Sequence, residues 1–364
     1  MQAARKHTMG FVPLIEVNRG GLVECQHWGA VAVADRDGRV SAQVGDPYTV
    51  TFTRSTIKAF QALPFMQSGG ARALGWGQGE LALLCASHNG EPMHVAQAER
   101  MLASVGKDYH ALRCGCHRPL FAELGLASLP QGFVPDERHN NCSGKHAGFV
   151  AHCVQQGLPL DDHLDPVHPL QVAIRDHVAQ AVGLAPEQLA MGIEGCSAPN
   201  YAMPLASLAR GYARLAGGAP DTDLDQSLTE LADAMVARPE LGSGTGRHDL
   251  DFMRVGEGDW VLRTYSRPFP GRASALPGWA ARRGAQWIAR LSTSAATPQT
   301  ARQGTCPKGW GEIGRLDAPA ACMGMSPCGA VEASTHPDCA PTRPGKGREY
   351  VLDRRRRRAG GGQP

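Results

Sequence analysis

Ser55 and Lys58 stand three residues apart in the stretch Thr53-Arg54-Ser55-Thr56-Ile57-Lys58. On a helix that spacing puts hydroxyl and amine on one face, one turn apart. A serine hydroxyl becomes nucleophilic when a base lies within hydrogen-bond reach. A lysine is that base only where desolvation or a neighbouring cation holds its pKa near neutral. Arg54 is a candidate for the cation. The same spacing occurs on solvated helix faces that do no chemistry, so the company the motif keeps has to decide.

Three further segments join reactive side chains to turn-forming ones. Leu84-Cys85-Ala86-Ser87-His88-Asn89-Gly90-Glu91-Pro92 carries an apolar stretch out into a polar turn and presents a second serine. His139-Asn140-Asn141-Cys142-Ser143-Gly144-Lys145-His146-Ala147-Gly148 and Gly192-Ile193-Glu194-Gly195-Cys196-Ser197-Ala198-Pro199-Asn200 are equally dense in small and turn-forming residues. Segments of this kind end at surfaces and clefts, where a rigid scaffold holds them for chemistry.

With Gly242-Ser243-Gly244-Thr245-Gly246-Arg247, these segments resemble the rhizobial-type L-asparaginase II family, in the family's order and at compatible separations, over about residues 10–262. The resemblance implies an α+β, serine β-lactamase-like fold, a central antiparallel sheet with flanking helices. It implies hydrolysis of L-asparagine to L-aspartate and ammonia through two Ser-Lys pairs around one pocket. Carried over by position, Ser55 with Lys58 makes the first pair and Ser87 supplies the serine of the second. Arg54 falls where a guanidinium fork grips the substrate α-carboxylate, a task that suits its geometry; by itself it reads equally as a surface cation. Glu194 stands where the family usually has aspartate, near the α-amino group, one methylene longer. His88 and Asn89 orient the Ser87 loop or donate to the amide oxygen, with turn capping as the alternative.

The resemblance also implies zinc beside the pocket, held by Cys142, Lys145 and Cys196. Zinc favours sulfur and nitrogen ligands in a tetrahedral set with a position left for water. A lysine joins such a set only as the neutral amine, and the nearby cation helps it shed its proton. From spacing alone, Cys142-x-x-Lys145 reads as a helix turn with a buried thiol. His139 and His146 flank the motif and are expected to bond the ligands from outside. Two other functions compete. A penicillin-recognising type of serine acyl hydrolase gives the cysteine-lysine-cysteine set no purpose and lacks a Lys-Thr-Gly triad. An inactive, truncated asparaginase-like protein is the non-enzymatic alternative.

That last alternative comes from the boundary near Arg263. After Gly258-Asp259-Trp260-Val261-Leu262 the family continues with a lysine-led segment ending in Ala-Glu, whose lysine completes the second pair; here Arg263-Thr264-Tyr265-Ser266 follows. A guanidinium stays protonated and is no general base. Residues 263–364 mix Arg, Pro, Gly, Ser and Cys and run into Arg354-Arg355-Arg356-Arg357-Arg358. Three readings fit this tail: a nucleic-acid-binding extension, a disordered low-complexity segment, or the product of a reading-frame change, which best explains the sharp boundary. The expected domains are thus an asparaginase-like unit over 10–262, incomplete at its C-terminal end, and a divergent tail.

Composition adds little that is specific. A chain of 364 residues suits one large or two medium domains, and a formal charge of +3 is modest. Eleven cysteines without a secreted spacing pattern imply reduced thiols and a cytoplasmic enzyme. No apolar run reaches the length of a membrane span, and Met1 to His7 lacks a signal pattern. The expected partner is the small-molecule substrate; a homodimer is the assembly considered, and nucleic acid enters only through the basic tail. The elements that must carry the site read as strands over Val12–Val17 and Leu22–Val33 joined at Asn18-Arg19-Gly20-Gly21, and Val40–Val44 as a further strand. A helix opens at Ser55 with Ile57, Phe60 and Leu63 on its apolar face and Pro64 bending or ending it. Met93–Val105, Val172–Val182 and Leu224–Val236 repeat apolar residues at helical spacing, and Gly183, Gly217-Gly218 and Gly242 punctuate their ends.

Overall fold

Val12–Arg19 (β1) and Leu22–Ala34 (β2) form the hairpin that the sequence implies, and the turn between them needs left-handed backbone at both Gly20 (φ 58°) and Gly21 (φ 83°). This computed structural model describes residues 10–217 and 221–255 and, by backbone, 260–269, 272–281 and 287–295. The readings of Met1 to His7, Gly218, Gly258-Asp259 and the arginine run lie outside the described residues.

The chain is α+β, with antiparallel sheets and helices. Val40–Val44 (β3) pairs with one edge of β2 beyond β1. Two further strands, Val50–Phe52 (β4) and Ala190–Ile193 (β5), flank Pro199–Pro204 (β6) in a separate three-stranded sheet. The larger sheet is completed by Trp260–Phe269 (β7), Arg272–Ala281 (β8) and Trp287–Ala295 (β9), in the order β1-β2-β9-β8-β7.

The expected unit ends at 262, and backbone pairing in the large sheet runs on past that point. The 262/263 boundary falls inside β7, and β9 pairs with β2 from His27 opposite Ala295 to Val33 opposite Ile288. Strand pairing is made by backbone groups, so a segment rich in Trp, Val, Thr, Tyr and Ile can enter a ladder without the family's side chains. Pro268 is tolerated because β7 is an edge strand.

The helix Leu205–Leu215 packs on the large sheet, and its Leu205 and Ala209 meet Ala30, Ala32 and Ala34 of β2. Small side chains on that face let helix and sheet approach closely. The main core lies among the helices. Ile57, Phe60 and Leu63 are fully buried in it, as their spacing predicts, and the Tyr212 ring meets Phe60 edge-on at 5.7 Å. Helices over Pro92–Ala103, Pro169–Val182 and Asp223–Ala237 match the expected periodic segments. The helical segment that follows Ser55 ends at Gln61, before Pro64 as expected, and Pro64 lies in the first turn of the next segment, Leu63–Gln67, where its missing N–H is harmless.

Histidines buried in this core are expected to make the fold acid-sensitive. Burial pulls His152 and His163 down to about 4 and His146 to about 3. In the unfolded chain a histidine takes its proton near pH 6.5, so between pH 6.5 and about 4 the unfolded state binds more protons and stability falls with falling pH. We expect the melting temperature to drop by about 5–10 °C between pH 7 and pH 5. His152→Gln with His163→Gln should flatten that slope; an unchanged slope in thermal melts would assign it to other groups.

Candidate active site

β4 delivers the first site residues. After Phe52 the chain keeps one more contact with β6, from Thr53 N–H to the Tyr201 carbonyl at 3.1 Å, and then turns. Arg54 opens a 3-10 turn, Arg54–Ile57, in the left-handed region with φ 51°. A helical segment, Lys58–Gln61, continues it, with Lys58 N–H bonded to the Ser55 carbonyl. Ser55 and Lys58 are both buried.

The second segment arrives on the helix Gln78–Leu84, whose end leads into the loop that carries Ser87, itself buried. The third packs against that helix at very short range. A Cβ on Gly144 would stand 2.2 Å from the Leu83 carbonyl oxygen and one on Gly148 would stand 2.1 Å from Leu84 Cδ1, so only glycine permits this approach. The helix Ser143–Gln156 thereby presents Lys145 beside the Ser87 loop, with Cys142 at its N-cap.

Lys58 reaches across these segments. Its Nζ donates to the carbonyls of Ala86 and Asn141, the latter at 3.3 Å, and lies 2.8 Å from Ser87 Oγ. The amine expected to serve Ser55 is therefore hydrogen-bonded to Ser87. Ser55 Oγ makes no hydrogen bond among the described residues. Burial lowers the Lys58 pKa from its ordinary value; Cys142 opposes this and Lys145 adds to it.

His88 and Asn89 hold the Ser87 loop. His88 Nδ1 accepts the Gly90 N–H at 3.1 Å, its Nε2 lies 2.9 Å from Ser143 Oγ, and its ring stacks on His94 at 4.8 Å. Burial, with His94 next in importance, keeps His88 well below its ordinary pKa and so neutral. Both ring nitrogens are engaged, which favours turn capping and loop orientation over donation to a substrate. Asn89 Nδ2 donates to Glu91 and to the Thr245 carbonyl, while Glu91 accepts from the Thr245 N–H at 2.8 Å. The glycine-rich segment 242–247 is thus tied to the loop, and Ser87 N–H bonds the Gly242 carbonyl at 3.0 Å.

The charged group beside this centre contains all three expected zinc ligands. Lys145 Nζ lies 3.2 Å from Cys196 Sγ and 3.6 Å from Glu194, whose other oxygen stands 3.9 Å from Arg54 Nε. Cys196 is lowered to about 6, first by its hydrogen bond with Cys142 and then, against burial, by Lys145. Cys142 is pushed well up by that same bond and by burial. Burial favours the neutral form of Lys145, yet the charges of Cys196, Cys142 and Glu194 outweigh it and raise its pKa. Glu194 is lowered: burial opposes ionisation, but Lys145, Lys58 and Arg54 together prevail.

Two thiols and an amine brought into one buried group suit a zinc ion chemically. Among the described residues, no group of three His, Cys, Asp or Glu side chains is arranged to hold a metal; the third donor here is the lysine. The two flanking histidines do not bond this set. His139 Nδ1 accepts the Asp136 N–H and His146 Nδ1 lies 3.0 Å from the Leu112 carbonyl, each capping its own neighbourhood.

Sequence reasoning gave no role to Asn141, whose carbonyl takes Lys58, or to Asn200, whose side chain meets the Arg54 backbone. Both lie inside the segments singled out above, but a backbone acceptor leaves no mark in residue type. Arg263 lies on β7, opposite Gly278, and β7 runs past the Arg54–Ile57 turn. No helix among the described residues is long and apolar enough to cross a membrane.

A search of curated proteins found no match. A family model, that of L-asparaginase II, matches residues 15–264. That span takes in every site segment described above and most of the chain, which therefore belongs to the L-asparaginase II family.

Proposed function

We propose that the chain is an L-asparaginase-type amidohydrolase that converts L-asparagine and water to L-aspartate and ammonia by Ser-Lys nucleophilic catalysis on a serine β-lactamase-like scaffold. The observation that carries this reading is the buried Lys58 amine, shifted toward its neutral form 2.8 Å from Ser87 Oγ, in a chain of this family. A neutral amine has two N–H groups and one lone pair. The carbonyls of Ala86 and Asn141 take the N–H groups, which leaves the lone pair for the Ser87 hydroxyl proton.

We assign the attack to Ser55, whose Oγ has no hydrogen bond among the described residues to hold it back. Its oxygen bonds the side-chain carbonyl carbon of the substrate while its proton passes through Ser87 to Lys58. Lys58 returns the proton to the amide nitrogen, the C–N bond breaks, and ammonia leaves. Water then cleaves the ester, releases L-aspartate and restores the serine. Arg54 and Glu194, of opposite charge and 3.9 Å apart, match the α-carboxylate and α-ammonium of an amino acid. The cysteines of the sequence, which follow no secreted spacing pattern, fit a reducing compartment, the cytoplasm.

Cys142, Lys145 and Cys196 would hold zinc, which when bound supplies positive charge beside the pocket and an open position for a polar ligand. Purified protein is expected to carry about one zinc per chain, with Cys142→Ser or Cys196→Ser losing most of it. Elemental analysis finding no metal in parent and variants would leave the thiols as core packing.

The test of the function is ammonia release from L-asparagine by the full chain, with the acyl group sought by mass spectrometry after rapid quenching. We expect it on the peptide containing Ser55. No ammonia overturns the asparaginase reading, and an acyl group on Ser87 overturns the assignment of the nucleophile.

A further inference from the structure

Arg54, Arg113 and Ser197 are the non-glycine residues with positive φ among those described, and Arg54 immediately precedes the hydroxyl assigned to attack. A residue with a Cβ enters this region only where its surroundings hold it there.

The pairing of β4 with β6 shows what holds Arg54. Phe52 stands opposite Ala202, and Thr53 N–H still reaches the Tyr201 carbonyl. One residue further Arg54 would meet Asn200 in the ladder, but its left-handed turn takes the main chain away. The Asn200 side chain closes the gap. Its Oδ1 accepts the Arg54 N–H at 3.0 Å, and its Nδ2 donates to the Arg54 carbonyl at 3.0 Å. Thr53 Oγ1 reaches the same Oδ1 at 3.4 Å. A carboxamide can do this because it carries acceptor and donor side by side. Asn200 is 2% exposed, so the clamp is shielded from competing water.

The backbone of the same residue works on the other side. Asn200 stands opposite Gly192 in β5, and Ile193 ends that strand immediately before Glu194. One residue in the middle strand of the small sheet thus fixes both the turn that presents Arg54 and Ser55 and the strand that delivers Glu194.

We propose that Asn200 is a positioning residue of the substrate site: its carboxamide holds Arg54 in the left-handed turn and so sets the direction of the Arg54 guanidinium and the placement of Ser55. The proposal rests on the reading above, in which Arg54 grips an amino-acid carboxylate and Ser55 attacks. Without the clamp, Arg54 relaxes to an ordinary backbone conformation, its guanidinium swings from the carboxylate position, and Ser55 shifts with it. A displacement of about 1 Å at a reacting group costs on the order of 100-fold in rate.

The test uses the full chain with two variants. Asn200→Leu keeps the bulk and removes both bonds; Asn200→Asp keeps the acceptor for the Arg54 N–H and loses the donor. With L-asparagine, we expect Asn200→Leu to raise KM about tenfold and lower kcat about tenfold per folded molecule, with Asn200→Asp in between. Parent KM and kcat in Asn200→Leu, with only the melting temperature lowered, would make the residue structural and overturn the proposal. Hydrogen exchange at the Arg54 amide reads the clamp without turnover: protected in the parent, at least about tenfold faster in Asn200→Leu. A parent that releases no ammonia overturns the asparaginase reading alone, and exchange then decides the clamp, an unchanged rate overturning it. If Asn200→Leu does not fold, Asn200→Asp carries the same two measurements.

Discussion

Lys58→Met is expected to lower kcat/KM for L-asparagine by about 1,000-fold or more while the protein stays folded. Methionine keeps most of the stem length and removes the amine. In the proposed chemistry that amine receives the proton of the attacking hydroxyl and gives it to the leaving nitrogen, so its loss disables both transfers. Stability is pulled two ways. The Ala86 and Asn141 carbonyls and Ser87 Oγ lose a donor, at about 1–3 kcal/mol for each group left buried and unsatisfied. Against this, an amine no longer has to be buried. The melting temperature should therefore move far less than the rate. The pH profile gives an independent check. Lys58 acts only when neutral, so activity rises with pH through its pKa; because burial lowers that pKa, the rise must finish below the pH an exposed lysine would require. Turnover within tenfold of the parent, or the same rising limb in Lys58→Met, would remove Lys58 from its role.

The site was legible in the sequence as a set of segments, less so as a set of bonds. The Ser55–Lys58 spacing correctly marked two buried residues of one turn. It assumed a regular helix, however, and the chain makes a 3-10 turn over Arg54–Ile57 before Lys58 begins the helical segment. A long, flexible amine then seeks buried acceptors wherever they lie, and here they come from Ala86, Ser87 and Asn141. The spacing Cys142-x-x-Lys145 reads as a helix turn, and the helix Ser143–Gln156 begins there, but the reason for Gly144 and Gly148 is not legible locally. Those glycines serve close helix packing, which no local propensity reveals. Cys142, Lys145 and Cys196 were brought together only by the resemblance, since nothing local in two distant segments foretells that they meet. Apolar periodicity did better. Ile57, Phe60 and Leu63 and the three periodic helices lie where burial demands, because the hydrophobic term acts on residue type directly.

A chain cut after Leu262 is expected to lose cooperative folding, whereas one cut after Ala295 should keep it. β9 pairs with β2 along much of its length, β8 pairs with β9, and β7 pairs with β8 from Trp260 opposite Ala281 to Phe269 opposite Arg272. Cutting at Leu262 leaves only three residues of β7 and removes β8 and β9. β2 then presents unpaired N–H and C=O groups as an open edge, a template for association with other chains. The helix Leu205–Leu215 also packs on β8 and β9, so the same cut uncovers part of its apolar face. The combined loss exceeds what a domain stabilised by about 5–15 kcal/mol can absorb. The sequence boundary at 262/263 argues the opposite case, since residues produced by a reading-frame change would have no selected partner in the sheet. Thermal unfolding and light scattering on the two shortened chains separate these cases. A soluble 1–262 chain with a sharp melt, together with early protease cleavage between 263 and 295 in the full chain, would show that the sheet stands without those strands. Aggregation of the 1–262 chain and a single sharp melt of the 1–295 chain would place the end of the folded unit some thirty residues past the point where the family's side-chain pattern stops, held there by backbone pairing.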